Sequence, residues 1–344
     1  MQETLLTINL QRIQQNASRF KHYTDRFLYA VVKADAYGHG AVRVTDALQM
    51  VADGFAVALI DEAIAIKTAA AGKEILVFTP PVSELDVVIA ATNGFTLTAA
   101  GLQSARLIVD TLCKYGLTAN VQVKVNTGMN RYGVYGSNLG KVCALLKSTG
   151  QVRVQGVYSH LYSHSPALCE RQRLRFCQGV AICRRYFPLA RAHLASTYGA
   201  VLGQEYLFDG VRIGLGLYGY FPEGEAPFPL LPAMQAFAPC VAKRKHLFGG
   251  ALYGDDRDEL FGQELSLLRA GYADGMGFSW EKSGLKCDAV SNLCMDVCLT
   301  KAKGAYGKYT CLFDDALKVA AARGSSVYEV LCLAALRAKR RYYY

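Results

Sequence analysis

Eight short apolar runs, most of them separated by longer amphipathic stretches, fill the first two-thirds of the chain. They are Phe27–Lys33, Gly54–Leu59, Glu74–Thr79, Gly94–Ala99, Asn120–Val125, Val152–Ser159, Ala192–Ser196 and Asp209–Leu215. The stretches between them, such as Ala41–Ala52, Asp61–Ala70, Gly101–Tyr115, Ser137–Ser148 and Leu168–Phe187, have helical spacing. Apolar strands alternating with helices predict a parallel sheet covered by helices. Eight such units in about 200 residues predict a closed (β/α)8 barrel rather than an open sheet. The last two runs are joined by a short connection, where a full helix is least expected.

From about Ala226 the pattern changes. Pro227, Pro229 and Pro232 suit a crossing between domains. The runs Ala236–Ala242, Gln263–Ala270, Lys286–Val290, Val297–Thr300 and Tyr309–Phe313 have strand character, and Ala316–Arg323 is helical. The expected class is α/β: an N-terminal (β/α)8 TIM-like barrel over residues 10–225, then a mainly β domain over 226–344. The alternating segment Thr4–Asn9 is expected to add a strand from residues 1–9 to that second domain.

Composition narrows the function classes. The net charge of +10 raises nucleic acid as a partner, but the cations are spread along the chain, so none is expected. The densest cluster, Arg337, Lys339, Arg340 and Arg341 with three tyrosines after it, reads as a solvated basic tail. Eleven cysteines with no C-x-x-C pair suit reduced thiols in the cytoplasm. His160 and His164 are four apart, but no Glu lies between them and a strand-like run precedes them, so no metal is expected. No apolar run reaches the roughly 18 residues of a membrane span. The opening Met1-Gln2-Glu3-Thr4 carries no secretory n-region.

Barrel chemistry sits at the carboxyl ends of the strands. Lys33 ends the first run, Lys124 lies near the end of the fifth with Arg131 in the loop after it, and His160 ends the sixth. Ser196 and Thr197 end the seventh, and Arg212 and Gly214 lie on the eighth. Singly, each has an ordinary reading as a surface or turn residue; five strands ending this way at one rim is the signal. A lysine closing an apolar strand is an amine whose pKa burial and nearby cations can lower, able to form a Schiff base with an aldehyde cofactor. Thr197 and the backbone at Gly214 suit the phosphate site that barrels often build after strands seven and eight.

These segments resemble the alanine racemase family. Ala30-Val31-Val32-Lys33-Ala34-Asp35-Ala36-Tyr37-Gly38-His39-Gly40 is similar to its pyridoxal phosphate (PLP) lysine motif, nearly letter for letter. Lys124–Gly133, Val211–Gly219, Gly271-Tyr272-Ala273-Asp274-Gly275, Cys294-Met295-Asp296 and Val327-Tyr328-Glu329-Val330 resemble its further signatures. The resemblance runs from about residue 4 to 344. It implies a cytoplasmic, PLP-dependent isomerase that interconverts L- and D-alanine for peptidoglycan by a two-base mechanism.

Carried over position by position, Lys33 would hold PLP and act as base on the D face. Tyr253, in Leu252-Tyr253-Gly254, would be the base on the L face, hydrogen-bonded by His160. A tyrosine ordinarily ionises near pH 10, so such a base needs cationic help, which the His160–Arg212 chain would supply. Arg212 would contact the pyridine nitrogen; Tyr37, Thr197, Gly214, Leu215 and Tyr328 would hold the phosphate. Arg131 and the Met295 backbone would bind the substrate carboxylate, and Tyr272 would narrow the entrance. Lys124 matches a lysine often carbamylated in the family. The family is a head-to-tail homodimer in which Tyr253, Tyr272 and Met295 would reach the partner's site.

The sequence also departs from the pattern. Asn126 stands for an Asp and Ser196-Thr197 for Asn-Ser. Met276–Trp280 lacks an expected Arg, and Asn292 replaces another. Ser196-Thr197-Tyr198-Gly199 is similar to the racemase domain of the serine racemases linked to vancomycin resistance, which keeps serine as the alternative substrate. A non-catalytic PLP-binding barrel would lack the β domain. A decarboxylase of this barrel class would show His-x-x-Gly-Ser and Cys-x-Glu-like motifs, and neither is present.

Overall fold

The computed structural model describes residues 3–253 and 256–344. Met1 and Gln2 of the opening segment, and Gly254 of the Leu252-Tyr253-Gly254 motif, lie outside the described residues. The chain divides into two compact units. One comprises Gln14–Asp35 and Ala41–Leu230; the other comprises the chain up to Ile13, the segment Ala36–Gly40, and Leu231–Tyr344.

The first unit is a closed eight-stranded parallel barrel. After β1 (Leu5–Asn9), its strands are β2 (Phe27–Val31), β3 (Gly54–Val57), β4 (Glu74–Val77), β5 (Thr96–Ala99), β6 (Ala119–Lys124), β7 (Val152–Tyr158), β8 (Arg191–His193) and β9 (Gly210–Ile213). All eight expected runs are strands. Every residue of β3, β5 and β9 is buried, because helices cover the outside and side chains fill the inside. The barrel closes where β9 lies beside β2, with Arg212 opposite Tyr29. Between β8 and β9 the described chain makes only two short 3-10 turns, as the short connection implies.

The second unit holds a six-stranded sheet in the order β12-β11-β10-β1-β14, with β13 also paired to β10. These strands are β10 (Met234–Lys245), β11 (Glu264–Leu268), β12 (Cys298–Thr300), β13 (Tyr309–Phe313) and β14 (Lys339–Tyr343). β1 runs antiparallel to β10 and parallel to β14.

Two expectations fail here. Lys286–Val290 is not a strand: within it only Ala289 makes an isolated bridge, to Thr300, and the Lys286 amide bonds Leu312. The basic cluster is not a solvated tail. Lys339, Arg340 and Arg341 belong to β14, and Arg337 is a clamp. Its guanidinium donates to Asp274 at 3.1 and 2.8 Å and to Asp296 at 2.9 Å. Asp274 is 1 % exposed and also accepts from Arg269 at 3.0 Å. A buried carboxylate needs such partners, and Arg337 comes from 63 residues along the chain.

Candidate active site

The barrel mouth begins with an unusual backbone. Strand β2 ends at Val31, so Lys33 opens a helical turn, Lys33–Tyr37, instead of closing the strand. Ala34, Asp35, Ala36 and Tyr37 all have φ between +51° and +55°, so the turn is left-handed. Each such L-residue costs about 1–2 kcal/mol. Local bonds hold it in place. The Ala34 amide donates to Glu62 Oε1 at 2.6 Å, and Asp35 Oδ1 accepts the Ala41 amide at 2.7 Å. Tyr218 donates its hydroxyl to the Val31 carbonyl at 2.9 Å. Strain kept this way marks functional sites. Lys33 itself is half-buried.

Basic side chains of the barrel act on one histidine. Burial first, then Arg212, Lys124, Arg131 and Lys33, hold the His160 imidazole well below its ordinary pKa, so it is neutral. His160 lies two residues beyond the end of β7, while Lys124 is the last residue of β6. Lys124 is buried, with its ammonium 5.0 Å from the Tyr158 ring centroid. Burial, then Arg212 and Arg131, push its amine far down; both charged neighbours are cations. Arg131 sits in the exposed loop after β6, where Asn126 Oδ1 accepts the Gly128 and Asn130 amides.

Arg212 is 3 % exposed, and burial brings its pKa down to about 10, so it stays cationic at neutral pH. Nη1 donates to His193 Nδ1 at 2.8 Å and to the His193 carbonyl at 2.9 Å. Nη2 donates to the Ser159 and Leu194 carbonyls at 2.6 and 2.9 Å. The fifth donor, on Nε, takes part in none of these four bonds. Thr197, past the end of β8, accepts the Gly214 and Gly216 amides at 3.3 and 3.2 Å. Leu215, which opens the turn between those two glycines, is 1 % exposed. An Nε–H outside these bonds suits a bound acceptor.

In the second unit, Tyr37 and Tyr328 place their rings 5.8 Å apart. Tyr253 is 58 % exposed, and its backbone bridges to Asn292. The Tyr272 and Ala273 amides donate to the Cys294 and Met295 carbonyls at 3.1 Å each. A Cβ on Gly271 would lie 2.2 Å from the Cys294 oxygen, so only glycine allows this approach. Arg337 ties both loops through Asp274 and Asp296. Tyr253, Tyr272 and Met295 are thus carried on one connected backbone. Arg323, on helix Ala316–Arg323, donates to the Gly275, Met276 and Ser283 carbonyls. It anchors the segment that lacks the family's arginine.

Sequence reasoning missed a set of polar residues inside the barrel: Tyr29, Glu74, Gln122, Arg191 and His193. Gln122 is two residues from Lys124 and Arg191 two from His193, so strand alternation puts each pair on one face. That spacing was the available signal.

Comparison with known proteins now bears on this geometry. Residues 8–222 match the family described as alanine racemase, N-terminal domain. The alanine racemase of Streptococcus pneumoniae (strain Taiwan19F-14) is 32% identical over 370 aligned residues, covering 99% of this chain and 98% of that protein. The crystal structure of alanine racemase from E. faecalis superposes with a TM-score of 0.90 at 24% identity, over 99% of this chain and 98% of that one. The biosynthetic alanine racemase of Pseudomonas aeruginosa superposes at 0.83 with 26% identity, over all of both chains. The barrel, its cationic mouth and these full-length matches define an isomerase of the racemase class. The chain belongs to the alanine racemase family.

Proposed function

We propose that this racemase interconverts L- and D-alanine using PLP held on Lys33, and so supplies D-alanine for peptidoglycan. The observation that carries the reading is the buried Arg212 guanidinium, held by His193 and by the Ser159, His193 and Leu194 carbonyls, in the barrel where Lys33 opens its left-handed turn, since a fixed cation suits an anionic cofactor and a carboxylate substrate. The donors around Arg212 and Leu215 fit the cofactor. The Arg212 Nε–H would meet its pyridine nitrogen; the Leu215 amide, with Thr197, Gly214, Tyr37 and Tyr328, would hold its phosphate. When bound, PLP supplies stabilisation of negative charge at the substrate Cα. Arginine keeps its proton, so a nitrogen facing it stays unprotonated, which restrains transamination. Arg131 and the Met295 backbone orient the carboxylate, and Tyr272 narrows the entrance. Lys33 moves the Cα proton on the D face and Tyr253 on the L face, with neutral His160 hydrogen-bonding the tyrosine.

In this reading residues 10–225 are the PLP-binding domain. Residues 226–344, with β1, serve a partner's site in a head-to-tail homodimer. The exposure of Tyr253 (58 %), Phe278 (53 %) and Met295 (53 %) supports such a contact. Among the described residues no helix is long and apolar enough to cross a membrane, and all eleven cysteines are free. We read it as a cytoplasmic enzyme, as the family resemblance implies.

The test is direct. Purified protein with PLP is expected to racemise both enantiomers of alanine, and to rescue growth of a D-alanine auxotroph. Serine turned over faster than alanine, or no turnover of either, would overturn the substrate assignment. In the same assay, inactive Lys33→Ala and Tyr253→Phe chains are mixed under conditions of proven subunit exchange. Recovered activity supports shared sites; none refutes them.

Lys124 is also read as a carbamate. Only a neutral amine attacks carbon dioxide, and burial between two cations both frees the amine and rewards the anion it becomes. Protein equilibrated with 13C-bicarbonate is expected to show one carbamate resonance that is absent from Lys124→Met. Its occupancy should fall as pH drops through the lowered amine pKa. A spectrum identical to the variant's refutes the carbamate.

A further inference from the structure

A chain of hydrogen bonds crosses the barrel interior from its floor to Arg212. Glu74, the first residue of β4, stands at the amino-terminal end, with its side chain 15% exposed. Its Oε2 accepts from the Tyr29 hydroxyl at 2.8 Å and from Arg191 Nη1 at 3.1 Å. Its Oε1 accepts from Gln122 Nε2 at 2.7 Å. Gln122 Oε1 meets His193 Nε2 at 2.7 Å, and His193 Nδ1 meets Arg212 Nη1 at 2.8 Å. Tyr29, Gln122 and His193 are each 0% exposed, so water cannot replace a lost partner.

Both ends of this chain are fixed by chemistry. Arginine only donates and a carboxylate only accepts. Arg212 therefore requires a lone pair on His193 Nδ1, which puts the ring proton on Nε2. That proton needs an acceptor, so Gln122 turns its carbonyl oxygen to His193 and its amino group to Glu74. The reversed amide would set its oxygen against the carboxylate and its N–H groups against the imidazole N–H. Burial, then Arg212, Arg191 and Lys124, hold His193 well below its usual pKa, in keeping with a neutral ring. The ring is also stacked on Tyr158, with centroids 5.2 Å apart and planes 4° apart.

Two glycines make room for this path. A Cβ on Gly156 would lie 3.0 Å from Gln122 Cδ and 2.8 Å from the Arg191 oxygen; one on Gly54 would lie 3.1 Å from the Tyr29 ring.

We propose that Glu74 is a remote positioning residue of the racemase site. Through Gln122 it fixes His193 as the Nε2–H tautomer, and that lone pair holds Arg212 with its Nε–H free for a bound acceptor. The three carbonyls around Arg212 accept in any state of His193; only Nδ1 switches. In the other tautomer two N–H groups would collide and the guanidinium would turn. The consequence for turnover rests on the reading that Arg212 meets the cofactor's pyridine nitrogen; the tautomer does not.

The experiment uses 15N-histidine-labelled, PLP-loaded protein. Wild type is expected to show His193 with Nε2 protonated and Nδ1 bare at neutral pH. Glu74→Gln and Gln122→Met should move the two nitrogen shifts toward each other, as the tautomers mix. Because a turned guanidinium misplaces the donor at the reacting centre, kcat should fall about tenfold to 10²-fold while KM for alanine changes little. A wild-type His193 protonated on Nδ1, alone or on both nitrogens, overturns the relay. So does a folded Glu74→Gln protein with wild-type tautomer and wild-type kcat. If Glu74→Gln does not fold, the wild-type spectrum and Gln122→Met decide alone. The expected wild-type tautomer in a protein that racemises nothing supports the relay and sinks the functional reading instead.

Discussion

Replacing Lys33 by alanine is expected to reduce racemisation by on the order of 10⁴-fold or more, because one change removes both the cofactor's attachment and a positioned base. The loss should follow from chemistry, not unfolding. Lys33 is half-buried, and the bonds that hold its turn come from Glu62, Asp35 and Tyr218, which the substitution leaves in place. The variant should therefore keep the circular dichroism spectrum and melting temperature of cofactor-free wild type. Borohydride treatment of PLP-loaded wild type gives the complementary measurement. One peptide should carry the reduced cofactor, and it should be the one that contains Lys33. Label on any other lysine, Lys124 included, would remove Lys33 from the role. A Lys33→Ala protein that still racemises at a tenth of the wild-type rate would do the same.

The position of that lysine was legible in the sequence; its backbone was not. Eight apolar runs give eight strands because a buried parallel strand has to be apolar on both faces, a property that one segment shows by itself. The apolar run predicts Lys33 as a strand end, whereas the strand stops at Val31. Four successive non-glycine residues at positive φ are not foreseeable from residue type, since each of them disfavours that region. The polar path through the barrel was hidden for another reason. Glu74, Gln122 and His193 sit singly in apolar runs, and their meaning appears only when strands distant in sequence come together: His193 lies 71 residues from Gln122. Long-range pairing likewise explains the C-terminal misreadings. Lys286–Val290 alternates like a strand, but apart from one bridge at Ala289 it lacks a ladder partner among the described residues. Arg337 reads as part of a charged tail because its partners Asp274 and Asp296 lie 63 and 41 residues away in sequence.

Tyr253→Phe is the second large effect, and it separates the two faces of the reaction. The tyrosine is exposed at 58 %, on the backbone segment that bridges to Asn292, so removing one hydroxyl should leave the fold and the bound PLP unchanged. Loss of a positioned acid–base group costs about 10² to 10⁴ in rate. Racemisation should slow equally in both directions, since an enzyme cannot alter the equilibrium between enantiomers. Isotope exchange need not slow equally. In D₂O, Lys33 can still take the α-proton of D-alanine and return a deuteron to the same face, so exchange of the D enantiomer should persist. L-Alanine offers its proton to the face that has lost its base, so its exchange should nearly stop. Measuring α-proton loss by NMR for each enantiomer, at matched PLP occupancy, gives the answer. Equal losses for the two enantiomers would reduce Tyr253 to a structural residue and leave the L face without an identified base.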